Sequence, residues 1–296
     1  MKKLNNPVDI LKDLATLEPL NDKALKILLS DDEHFRELAE ACLDKKIAEG
    51  DLLDINGELL FSVKGKLVRL DSVRRTIDGL INIEGQTDQY KFPFKRHLYY
   101  WAAMYVSELP EGAEYKDLKS AISIVVYKDK GDTELIEKAY LRGELVKTED
   151  DSSQLNLVAI NTKKWRSAPT EKMRTYMSIL HNGIMLEETK NKYADIDTET
   201  ETFKKFYQAV TMACARIRYE EHKSRGDEHM SVAYKSFISE EERALARQEG
   251  MQKGMQKGKI ELYYTELGYT TKQIADRLKI PADHVTKILK ELNIID

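Results

Sequence analysis

Residues Arg69 to Asp88 read RLDSVRRTIDGLINIEGQTD, and this stretch decides the fold. Two runs that alternate apolar and polar residues flank Asp78-Gly79, the strongest short-range signal for a β-hairpin. Side chains alternate faces along a strand, so Leu80, Asn82, Glu84 and Gln86 share one face of the second arm. Ile81, Ile83 and Gly85 share the other. Asp71 and Glu84 lie seven and six residues from the Asp78-Gly79 pair, so they can sit nearly opposite each other. Folding requires neither carboxylate.

Such a pair suits phosphodiester hydrolysis. That reaction needs a hard cation to stabilise developing charge and to lower the pKa of an attacking water. Mg²⁺ keeps several waters and takes only a few carboxylate oxygens, so two acids from adjacent strands suffice. Gln86, beside the second acid, can hold the water. Spacing alone favours the plainer reading, a solvated hairpin with acids on its wet face.

The bulk properties narrow the classes. The chain has 296 residues, 42% hydrophobic and 33% charged, enough for a sizeable core under a well-solvated surface. The formal charge of −4 carries no global basic field, so any contact with nucleic acid has to come from a local patch. Two cysteines, Cys42 and Cys214, stand far apart without a CxxC pair. They exclude a disulfide scaffold and a cysteine-rich zinc site and fit a reducing compartment. The N-terminus MKKLNNPVDILKDL lacks the apolar core of a signal peptide, and no stretch approaches a membrane span. A cytoplasmic protein is expected.

Outward from the hairpin, Leu25, Leu28, Phe35, Leu38 and Cys42 recur at helical steps, with a break near Ser30 that reads as an N-cap. Gly50 is read as the stop of the second helix. Downstream, Pro93 opens a helix whose expected buried stripe is Phe94, Leu98, Trp101 and Tyr105. Ala121 to Tyr127 and Leu155 to Ile160 are continuous apolar runs suited to strands buried on both faces, and EKAYLRGEL offers one more. Hairpin, helix and strands make a mixed α/β domain with a central sheet.

Beyond residue 165 the pattern is helical. Phe203, Phe206, Val210, Cys214 and Ile217 mark one amphipathic helix. Gly250, Gly254 and Gly258 line one edge of another, which reads equally as a helix-packing seam, for instance in a homodimer, or as a linker. The tail TTKQIADRLKIPADHVTKILKEL reads as helix-turn-helix. Gln273, Ile274, Ala275 and Leu278 are its expected first core positions, and Val285, Ile288 and Leu289 the second. If it meets DNA, Ala282, Asp283, His284, Thr286 and Lys287 face the groove. Residues 249 to 296 hold eight Lys/Arg against seven Asp/Glu, a net of +1, so a small protein-interaction module is the plainer reading.

The run VRLDSVRRTIDGLINIEGQ, followed by KRHLYYWAAMYVSELPEGAEYKDLKSAISIVVY, resembles the PD-(D/E)XK nuclease family of transposase-like proteins, the recombination-promoting nuclease group. NDKALKILLSDD, AYLRGE, INTKKW and the glycine-repeat tail extend the likeness. The resemblance implies a restriction-endonuclease-like core acting as a divalent-metal-dependent DNA endonuclease. Carried over by position, Asp71 matches the first metal acid and Glu84 the second. Gln86 stands where the wider superfamily has lysine. Such folds often add an acid from the first helix, for which Glu33, Glu37 and Glu40 are candidates.

Gly85 departs from the bulky apolar residue usual in this group, and an uncharged Gln cannot titrate. Water activation then rests on the metal or on a basic side chain such as Lys95. Lys95 and Arg96, at a helix N-terminus among aromatics, are natural phosphate contacts, although a solvated helix face has the same composition. His97 stands alone, with nothing in the sequence to support zinc ligation.

The organisation expected is a nuclease core over residues 1–195, a helical segment over 196–248, and the glycine-repeat helix with its helix-turn-helix-like tail over 249–296. The expected activity is Mg²⁺-dependent cleavage of DNA, with Mn²⁺ as substitute, in recombination, mobility or defence. The competing expectation, from Gly85 and Gln86, is a DNA-binding or interaction protein that kept the fold without cleaving.

Overall fold

The computed structural model describes residues 7–47, 53–54, 60–63, 66–70, 72–77, 79–87, 94–109, 112–114, 118–128, 134–139, 155–278 and 280–295. The chain divides into two compact units, Met1–Tyr234 and Lys235–Asp296.

The first unit is built on a six-stranded mixed sheet. Its strands are β1 (Leu53–Asp54), β4 (Ser72–Thr76), β5 (Gly79–Gln86), β6 (Ser120–Tyr127), β7 (Ile136–Ala139) and β8 (Leu155–Asn161). Their spatial order is β1-β4-β5-β6-β8-β7, and β2 (Leu60–Val63) with β3 (Lys66–Arg69) forms a separate antiparallel pair. β4 and β5 are the expected hairpin, antiparallel from Ser72 opposite Ile83 to Thr76 opposite Gly79. Gly79 has φ +138°, and a Cβ there would lie 1.9 Å from the Ser120 carbonyl oxygen of the next strand, so no other residue fits.

β5, β6 and β8 run parallel in the centre. Their apolar runs are buried, as the continuous hydrophobic stretches require. Of EKAYLRGEL, residues 137–139 lie in β7, antiparallel to β8. The rest of that segment is outside the described residues.

Helices cover both faces. The helix between β5 and β6, α4 (Phe94–Ser107), supplies the crossover that two parallel neighbours need. Trp101 and Met104 pack there with Leu80, Val73 and Ala121, and the Trp101 indole donates to the Ala121 carbonyl at 2.7 Å. The expected stripe is corrected. His97, Trp101, Ala103 and Met104 are the buried residues, Leu98 and Tyr105 only flank them, and Phe94 is 43% exposed. The helix is rotated so that a polar residue, His97, faces the sheet, which hydropathy cannot anticipate.

On the opposite face lie α2 (Asp22–Leu29) and α3 (Asp32–Leu43). Gly85 meets them: a Cβ there would stand 2.6 Å from Leu25 Cδ2 and 3.1 Å from the Leu20 carbonyl oxygen. Arg74 is buried on this face and joins β4 to the helix break, donating to Asp32 at 2.9 Å and to the Leu29 carbonyl at 2.9 Å. A cation suits the carbonyl-rich end of a helix. The N-cap of α3 is Asp31, which accepts from His34 N–H, and not Ser30. The Ser30 hydroxyl turns back to the Ile27 carbonyl and closes α2 instead. Asp44, in the left-handed conformation, ends α3, and Gly50 lies outside the described residues.

The rest of the unit is helical: α1 (Pro7–Leu14), α5 (Glu171–Asn182), α6 (Glu201–Ser224) and the start of α7 (Glu228–Thr265). The expected stripe Phe203, Phe206, Val210, Cys214, Ile217 is buried, with Phe206 stacked on Tyr176 at 4.0 Å between ring centroids. Burial pushes both cysteine thiols up to about 12, so they act as small apolar residues.

The second unit has its own core, formed by Ile260 of α7, Ile274 and Ala275 of α8 (Thr271–Leu278), and Val285, Ile288 and Leu289 of α9 (Ala282–Glu291). Gln273, expected in the core, is exposed. It caps the helix instead: its side chain accepts from Thr270 N–H at 2.9 Å, while Thr270 Oγ1 accepts from Gln273 N–H at 3.3 Å.

Candidate nuclease site on the central hairpin

Glu84 sits on β5 in the face turned toward α4, with Leu80, Asn82 and Gln86, as strand alternation requires. Its residue exposure is 2%, and those of Asn82 and His97 are 0% and 1%. An ionised carboxylate so deep needs partners. The Asn82 amide donates to Glu84 Oε1 at 3.1 Å, and His97 Nδ1 lies 3.2 Å from Oε2. The other ring nitrogen, Nε2, lies 3.2 Å from Gln86 Oε1. His97, in the first turn of α4, therefore spans the two β5 side chains that the sequence singled out.

Below this cluster, toward the start of the strands, the floor is polar. Asn82 is the register partner of Ser123 on β6. Both are buried, and Asn82 Oδ1 and Ser123 Oγ have no hydrogen-bond partner among the described residues. Each such atom costs about 1–3 kcal/mol relative to an apolar replacement, so a folding-only account does not explain them.

The other sequence candidates fall as follows. Asp71 lies outside the described residues, as do Asp78 and Lys91. Its neighbours Leu70 and Ser72 are buried, and Ser72 pairs with Ile83, the residue before Glu84. Lys95 and Arg96 are exposed in the first turn of α4, with the Arg96 guanidinium 5.1 Å from the Tyr100 ring centroid. Lys287 is exposed on α9, in the second unit.

The acids of α3 serve another purpose. Glu37 accepts from the Tyr176 hydroxyl at 2.8 Å, Glu40 from Ile47 N–H at 2.9 Å, and Glu33 pairs with Lys205. They fasten α3 to its neighbours, on the side of the sheet away from Glu84. Among the described residues, no three His, Cys, Asp or Glu side chains group as a metal site. His97, which the sequence leaves standing alone, is the residue brought into this cluster; its one signal is the i, i+4 spacing to Trp101, the sheet-facing anchor of α4.

A family model described as PD-(D/E)XK nuclease family transposase matches residues 19–236. The chain belongs to that family. The mixed sheet flanked by helices is its α/β, restriction-endonuclease-like fold, and the helical C-terminal region is consistent with it. No curated protein and no solved structure matches the chain.

Nucleases of this superfamily typically use divalent metals. One carboxylate, one imidazole and one amide oxygen, donor types that a divalent ion accepts, stand together here on β5 and α4, with Asn82 and His97 already beside the two Glu84 oxygens. Among the described residues, no helix is long and apolar enough to cross a membrane.

Proposed function

We propose that the chain is a DNA endonuclease that hydrolyses phosphodiester bonds with a divalent metal, Mg²⁺ or in its place Mn²⁺, in DNA recombination, mobility or defence. Membership of the nuclease family supports the reaction class. The observation that carries the reading is the Glu84 carboxylate, buried on a central strand over polar atoms that the fold leaves unsatisfied. Proteins keep such unfavourable groups mainly where function requires them.

Glu84 and Asp71 are the proposed metal acids, and Gln86 the group that orients the attacking water. The ion, when bound, supplies charge stabilisation to the phosphate and acidifies a water. The chain's own residues do the rest. Asn82 holds one Glu84 oxygen and leaves the other facing His97. Lys95 and Arg96, exposed one turn from the site, neutralise the DNA backbone.

Lys287 would add a contact from the second unit. The glycine edge of α7 would serve association with a second copy. Cβ atoms at Gly250, Gly254 and Gly258 meet nothing within 4 Å, and Met251 and Met255 beside them are 68% and 56% exposed. Two buried free thiols agree with a cytoplasmic setting.

The test is nicking of supercoiled plasmid with Mg²⁺ or Mn²⁺ by the wild type, Asp71→Ala and Glu84→Gln. Metal-dependent nicking lost in both variants is expected. Equal activity in all three would refute the site. One observation favours a second reading, a DNA-binding protein that no longer cleaves: the Gln86 amide oxygen already engages His97 instead of facing a water. Metal-independent DNA binding with no nicking on any substrate would select it.

A further inference from the structure

We propose that a basic cleft at the carboxyl ends of β6 and β8 binds phosphates of the DNA backbone beside the candidate site. The inference rests on the reading of DNA as the substrate.

Strand register fixes where the cleft lies. Gln86, Tyr127 and Asn161 end β5, β6 and β8 side by side. Neighbouring strands stand about 4.8 Å apart, so the ends of β6 and β8 lie roughly 5 and 10 Å from Gln86. Open α/β sheets bind ligands in the crevice beyond these carboxyl ends. Here that crevice is a cleft of about 280 Å³, lined in part by Thr16, Glu18, Lys128, His181, Asn182 and Lys192. It opens on the face of α2 and α5, where Lys128 reaches Glu18 and the His181 carbonyl, whereas Glu84 faces α4. A backbone that crosses this end of the sheet meets both.

The charge is gathered from separate segments. Lys128 follows β6, Lys163 and Arg166 stand in the 3-10 helix Thr162–Ser167 after β8, and Lys192 in the 3-10 helix Glu187–Tyr193. All four act on His181, whose pKa is lowered to about 4 by burial first and then by these cations. Two carboxylates answer them: Glu18 lies 3.3 Å from Lys128, and Asp195 2.6 Å from Arg166. Four cations against two anions leave +2 here, in a chain whose formal charge is −4. Both pairs are partly exposed, and such pairs hold weakly enough for a phosphate to displace the carboxylate. Lys192 forms no ion pair among the described residues. Phosphate contacts of this kind carry no base information; they position the duplex.

The opposing reading is structural. Cations suit the carbonyl-rich end of a helix, and Lys128 donates to the His181 carbonyl near the end of α5 at 3.1 Å. On that reading the cluster stabilises α5 and has no part in binding.

Salt dependence separates the two. Fluorescence anisotropy in EDTA follows a labelled duplex oligonucleotide across a salt series, with full-length wild type, Lys192→Gln and the double variant Lys128→Gln/Lys192→Gln. The slope of log affinity against log salt should fall by about 1 in the single variant and about 2 in the double. Lys192→Gln should melt with the wild type, because its ammonium holds no carboxylate, so misfolding cannot mask its slope. Wild-type slopes in both variants would overturn the cleft and select the helix-end role.

Plasmid nicking with Mg²⁺, run in parallel, keeps this apart from the nuclease reading. Unchanged slopes beside normal nicking would remove the cleft alone. Reduced slopes without nicking by the wild type would keep the cleft and overturn the nuclease reading. A wild type that neither binds nor nicks DNA would overturn both.

Discussion

Replacing Gly85 by alanine tests whether the site strand is held where the structure holds it. The added Cβ would stand 2.6 Å from Leu25 Cδ2 and 3.1 Å from the Leu20 carbonyl oxygen. Leu25 is 2% exposed and Leu20 is fully buried, so neither has open space to move into. Overpacking of this kind costs about 1–3 kcal/mol. Alanine recovers about 0.5–1 kcal/mol because glycine loses more backbone freedom on folding. The net expectation is a loss of about 1–2 kcal/mol, and a unit of this size loses roughly 2–4 °C of melting temperature per kcal/mol. Thermal unfolding followed by circular dichroism should show Gly85→Ala melting about 2–8 °C below wild type. A variant that melts at or above wild type would mean that α2 does not press on β5 at this point.

Further outcomes follow from other sites. Burial, reinforced by Lys128, Arg166, Lys192 and Lys163, lowers the pKa of His181 from 6.5 to about 4, so the fold holds it neutral while the unfolded chain protonates it. Stability is therefore lost as pH falls from 6.5 toward 4, and His181→Asn should flatten that arm of a urea-midpoint profile by about 1–2 kcal/mol after solvent screening; an unchanged profile would contradict the burial. Lys95→Ala with Arg96→Ala should weaken DNA binding uniformly across sequences and reduce the slope of log affinity against log salt by about 2, read by fluorescence anisotropy; an unchanged slope would remove both from the DNA interface. Gly254→Leu meets nothing within 4 Å in the monomer, so it should leave the melting temperature unlowered while dissociating any dimer seen by light scattering; a dimer that persists would show that the glycine edge is not the seam.

Local signals made the hairpin legible. The Asp-Gly signal located the hairpin, with Gly79 opening β5 opposite Thr76, and strand alternation placed Glu84 with Gln86, because both depend on nearest neighbours. The parallel pairing of β5 with β6 was not legible, since it joins segments separated by a helix. Contacts distant in sequence explain two glycines. Gly79 lies against the backbone of Ser120, and Gly85, which as sequence looked like a defect in the site, is the point where the turn before α2 and Leu25 approach the sheet.

His97 illustrates the limit most clearly. Hydropathy places a histidine on the wet side of a helix, yet here a carboxylate and an amide from the preceding strand hold it inward, and the whole stripe of α4 rotates with it. The partners of the helix acids were not legible for a related reason. Glu37 and Glu33 are engaged by Tyr176 and Lys205, which lie 139 and 172 residues away in sequence.

The most direct measurement is anomalous scattering from crystals of the full-length protein soaked in Mn²⁺. The account predicts a peak within about 2.0–2.3 Å of a Glu84 carboxylate oxygen, lost in Glu84→Gln. Manganese bound elsewhere, with Glu84 left closed on Asn82 and His97, would contradict the assignment of Glu84 as the metal acid.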